Sequence, residues 1–233
     1  MLFRSYISTQ NSSEIATQDF IILSDSLNDL YFKLDDIIVI STDSFYSKYD
    51  ISNASADLQV VEAQLIAYEN VYRSINYDFD NISRYSNIED LEQNLNNHLF
   101  LINELDLIIS YRILNTEILV YPNLPEQAGP ETISNLTIEL SNISASSISN
   151  YEQLPNIPLF NDHNIKIYQS IEIANELHGQ YLASLRNKEL ETSKSLILSI
   201  ALNKDFISQS YENTLDQFEN QITVLYNSLI PFP

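Results

Sequence analysis

Two glycines in 233 residues constrain this chain more than any other feature. Average usage would give roughly 16. Glycine supplies tight turns, backbone at positive φ and the loops that cradle phosphate. A chain almost without it carries neither a P-loop nor a dinucleotide fingerprint. It also suits a many-turned sheet poorly. Cysteine is absent altogether, which removes disulfides, cysteine zinc sites and thiol nucleophiles.

A core is nevertheless available. Isoleucine, leucine, phenylalanine and valine number 31, 30, 10 and 6, well above the range of disordered chains. Eleven Lys+Arg stand against 32 Asp+Glu, for a formal charge of -21. Nucleic acid and anionic membrane both need a basic surface, so direct binding to either is disfavoured. The nearest approach to a basic patch is Arg186 with Lys188 and Lys194. Serine and asparagine, 29 and 25 of them, supply most of the polar surface. No stretch reaches the length of a membrane span. Residues 99–121 come nearest and are broken by Asn103, Glu104, Asp106, Arg112 and Glu117. Met1–Ser5 lacks the pattern of a signal peptide. The expected location is therefore the cytoplasm or an assembled particle such as a virion.

Periodicity predicts helices. Leu58, Val61, Leu65, Tyr68, Tyr72, Ile75 and Phe79 alternate steps of three and four, a single helix face with coiled-coil spacing. That helix is expected over 54–80, capped by Ser52 or Asn53. A turn over 81–87 leads to a helix over 88–119, with Asn87 as its N-cap. Its seam runs Ile88, Leu91, Leu95, His98 or Leu99, Ile102, Leu105, Ile109, Arg112 or Ile113. Residues 13–40 form an earlier helix, and 41–51 a polar link containing tyrosine.

Five of seven prolines fall between 122 and 158. They mark a loop after the long helix, a shorter helix over 131–151, and a second extended loop over 154–164. Beyond them, Ile167, Ile171, Ala174, His178 or Leu177, Tyr181 and Leu185 share one face. Tyr211, Leu215, Phe218, Ile222, Leu225 and Leu229 share another. Asn203-Lys204-Asp205 is the expected turn between helices at 165–201 and 205–229. A single helix there would make the molecule elongated. The expectation is an all-α, antiparallel bundle of five to six helices with coiled-coil-like seams. Its parts are 1–121, the proline-marked 122–164 and a hairpin over 165–233, joined in one integrated domain.

Chemistry-bearing motifs are scarce. His98, His163 and His178 belong to neither H-E-x-x-H nor E-x-x-H. His98 reads as a packed seam histidine. Asp162-His163 in its loop is at most a weak metal pair. Asp35-Asp36, Asp78 and Asp80 read as solvated acids, and Ser147 lacks a nucleophile elbow. No catalytic, metal or cofactor site is expected. Fifteen tyrosines are more telling. Tyrosine buries area and keeps a polar handle, which suits interfaces. Tyr46, Tyr49, Tyr85, Tyr121 and Tyr151 fall in links or near helix ends, and Phe232 in an apolar tail; these are the interface candidates. The reading favoured is a non-enzymatic structural or assembly protein. It would be an acidic helical subunit of a shell, virion, filament or scaffold, self-associating or held by protein partners. The alternative is a helical adaptor or chaperone-like module. A ligand-binding or enzymatic bundle ranks third.

Overall fold

The computed structural model describes residues 2–79 and 88–229. Among them the chain is an all-helical bundle of six helices without strands. These are α1 (Leu2–Thr42), α2 (Lys48–Phe79), α3 (Ile88–Thr116), α4 (Pro130–Glu152), α5 (Asn161–Asn187) and α6 (Leu190–Ser228). No described helix is long and apolar enough to cross a membrane. The expected turn at 81–87, the Asn87 cap, Tyr85 and Phe232 lie outside the described residues.

The chain divides into two compact units, neither continuous in sequence. One comprises 1–41, 49–106 and 220–233; the other comprises 42–48 and 107–219. In the first, α1 buries Leu23, Leu27, Leu30 and Leu34, spaced by three and four. From α2 come Leu58, Val61, Leu65 and Tyr72, as the seam predicts, and from α3 Leu95, Ile102 and Leu105. The apolar face of α2 begins earlier than expected. Ile51 and Ala54 are buried, so the helix starts at Lys48 and the supposed caps Ser52 and Asn53 stand inside it. Packing of an apolar face outweighs the local capping preference.

In the second unit, α4 and α5 share a cluster of Ile133, Leu136, Leu140, Tyr181, Leu182 and Leu185, closed by Ile200 of α6. Pro130 opens α4 as expected, since its fixed φ suits the first helical position. Two segments differ from what the sequence predicts. The stretch 154–164 is not extended throughout. A 3-10 turn at Pro158–Phe160 runs straight into α5, which puts His163 in a first helical turn. The break between α5 and α6 lies at Lys188-Glu189, not at 203–205. Asn203 and Lys204 use their side chains instead of bending the chain: Asn203 Nδ2 donates to the Ser170 carbonyl at 2.9 Å, and Lys204 Nζ to the Ile118 carbonyl.

The α5–α6 turn is made without glycine. Lys188 takes the left-handed conformation (φ 59°). Its N–H bonds to the Leu185 carbonyl, and the Glu189 N–H reaches back to Ser184. This is a Schellman closure, where glycine is the usual occupant. Leu119, just past α3, also has positive φ, and its N–H donates to the buried Ser147 hydroxyl at 2.9 Å.

Candidate interaction site

The link between α1 and α2 is five residues long and free of proline and glycine, so side chains must shape the turn. Asp43 does so. Its carboxylate accepts the Phe45 N–H at 2.9 Å, a local turn typical of aspartate. Its carbonyl accepts from the Arg112 guanidinium at 2.7 Å. Arg112 projects from α3 and is buried. A further tie, Lys48 to Glu117, closes the link at its other end. That exposed pair adds little energy, but the buried arginine fixes the loop. The result is a held turn with a phenylalanine at its tip: Phe45 is 95% exposed, with Tyr46 partly exposed beside it.

Behind Arg112 lies a buried polar cluster in the same unit. His163 of α5, 1% exposed, stands between two other helices. Its Nε2 meets Asn115 Oδ1 of α3 at 3.2 Å, and its Nδ1 meets Ser210 Oγ of α6 at 3.1 Å. With Asn115 accepting, Nε2 carries the proton and Nδ1 accepts from the serine. Tyr111 donates to Asn164 and lies 4.4 Å from Phe160, ring to ring. The Tyr211 ring is 5.6 Å from His163. Burial pushes the imidazole down to about 4, helped by the Lys166 charge. Burial likewise pushes the Tyr211 phenol up to about 12, against the pull of Arg112.

Serine, histidine and asparagine in this order resemble a hydrolase relay in outline. All three are buried, however, and the string binds helices to one another. His178 repeats the theme. Its ring lies edge-on to Tyr121, with the Tyr121 hydroxyl 3.2 Å from Nε2 and Ser144 3.4 Å from Nδ1, and burial lowers it to about 4. His98, in the other unit, sets Nδ1 2.8 Å from the Asn94 carbonyl of its own helix, the packed seam position expected of it. Among the described residues no group of three acidic, histidine or cysteine side chains is placed to hold a metal.

The interface candidates separate. Tyr46 and Tyr49 are on the surface, the latter 74% exposed. Tyr121 turns its hydroxyl to His178, and the half-buried Tyr151 packs on Tyr168 with rings 5.8 Å apart. Sequence reasoning overlooked Phe45, and Arg112 as the residue that holds it. The available signal was a charged residue at a seam position of an otherwise apolar helix. No protein-family model, curated protein or solved structure matches the chain.

Proposed function

We propose that this protein is a non-enzymatic assembly component, an acidic helical subunit whose work is contact with other proteins in a homo- or hetero-oligomeric assembly. The observation that carries this reading is Phe45, 95% exposed on a turn that a buried arginine holds in place. Burying such a ring at an interface yields about 2 kcal/mol. A pre-formed loop loses less entropy on binding than a free one. Aromatic anchors of this kind dominate interface energies. The absence of cysteine and of any recognised catalytic spacing is compatible with this role.

The test is mass in solution, by light scattering or sedimentation, at low and high salt. Salt matters because the charge of -21 opposes self-contact until screened. Association by the wild-type chain, alone or with its natural partner, should weaken about tenfold or more in Phe45→Ser. The fold should be untouched, since the ring touches little of its own chain. Equal association by the variant would sink Phe45 as the anchor. A chain that stays monomeric and partnerless throughout would sink the assembly reading.

A further inference from the structure

The stretch 196–202 of α6 is apolar on nearly every side. A helix that is apolar all round normally lies buried. Here it does not. Ile200 and Ile207 face the core, while Leu198, Leu202 and Phe206, four residues apart, form a stripe on the opposite side. They are 60%, 58% and 49% exposed. The stripe spans about 12 Å, two turns of helix. Ile173 on α5, 47% exposed, is a further apolar residue open on this hairpin.

The cations near the stripe are already engaged within the chain: Lys194, one turn before Leu198, pairs with Glu191 and Glu126, and Lys204 turns its ammonium inward to the Ile118 carbonyl. Helical spacing sets Asp205 and Glu212 on the same outer side of α6, and both are exposed. Exposed Glu172 and Glu176 stand on α5. No lysine or arginine occurs in 167–185 or in 205–233. Lys166 of α5 holds its ammonium 5.9 Å from the Phe206 ring centre, so the face already attracts one positive group of its own chain.

We propose that the outer face of the α5–α6 hairpin is a docking surface for a basic amphipathic helix of a partner protein. The inference rests on the assembly reading above and gives that reading a partner chemistry. Leucine-type residues of the partner, spaced by three and four, cover Leu198, Leu202 and Phe206. Lysine or arginine on its flanks meets Asp205, Glu212 and the α5 glutamates. A second copy of this chain fits worse, because it would bring acid against acid.

The experiment uses the full chain and two synthetic helical peptides of equal apolar content, one Leu/Lys and one Leu/Glu, followed by fluorescence anisotropy. The Leu/Lys peptide should bind and the Leu/Glu peptide should not. Leu202→Ser with Phe206→Ser should lose about tenfold or more. Asp205→Asn with Glu212→Gln should weaken binding several-fold and flatten its salt dependence. The charge pair leaves the apolar stripe intact, so it tests the idea even where the serine variant folds poorly. Equal binding of both peptides, or Leu/Lys binding indifferent to either pair, overturns the proposal. If the serine pair instead dissolves a homo-oligomer, a second copy covers the face: the assembly reading stands and this inference falls.

Discussion

The two compact units solve the same problem with different chemistry. The unit of 1–41, 49–106 and 220–233 is sealed chiefly by aliphatic rows, Leu23 to Leu34 on α1 and Leu58 to Leu65 on α2. Its one histidine, His98, bonds to the backbone of its own helix. The other unit buries His163, His178, Arg112, Ser147 and Ser210 and ties distant helices through them. Aliphatic packing is non-directional and tolerates sliding. Hydrogen-bonded polar groups fix one register and cost heavily when a partner is missing. The polar unit is therefore expected to hold the more narrowly defined geometry and to respond more strongly to pH. It is also the unit that presents Phe45 and the α6 stripe.

Acidification should break the comparison open most widely. The His163 and His178 imidazoles sit near 4 when folded, against an ordinary 6.5. Between those values the unfolded chain binds more protons. Stability is therefore fully present above about pH 6.5 and falls as pH drops towards 4, by up to about 1.4 kcal/mol per pH unit for each histidine. Carboxylates remain largely ionised down to about pH 5, so the upper part of the slope belongs to histidine. Burial also lowers His98, which gives the aliphatic unit one such group against two. Hydrogen exchange at pH 7 and at pH 5 should show protection lost first around α4 and α5. Earlier loss in α1 and α2 would reverse the assignment.

Truncation probes the same contrast at smaller scale. Leu34→Ala, in the aliphatic unit, should cost about 3 kcal/mol in urea unfolding, because it empties a fully buried site. Ser210→Ala removes a single oxygen from the polar unit. It should still cost about 2 kcal/mol, since His163 Nδ1 is left buried without its donor. A cost near zero for the serine would mean that the histidine bond is not a structural tie.

The smallest effects concern the missing glycines. Lys188→Gly should stabilise by about 1 kcal/mol, by relieving a left-handed lysine. Gly179→Ala, inside α5 with open space around the added carbon, should gain a similar amount. Thermal unfolding would register both as upward shifts of a few degrees.

Much of the fold was legible in the sequence, for a local reason. Spacing by three and four places residues on a helix face whatever lies opposite. The α2, α3 and α6 faces follow from Leu58–Val61–Leu65, Leu95–Ile102–Leu105 and Leu215–Phe218–Ile222. Where two neighbours competed for a seam position, only packing chose. His98 is buried and Leu99 exposed; Arg112 is buried and Ile113 half-buried. The misplaced turn at 203–205 has the same origin. Asparagine and lysine there look like loop residues until Ser170 and Ile118 supply partners.

Glycine scarcity, helical periodicity and an acidic surface belong to the sequence, because each depends on composition or on residues within a few positions. The ties from His163 to Asn115 and Ser210 join residues 48 and 47 positions apart. Arg112 and Asp43 are 69 apart. No local pattern encodes such pairings. They exist because folding brings a few polar groups out of water together, where each must find a partner or carry the cost of going without.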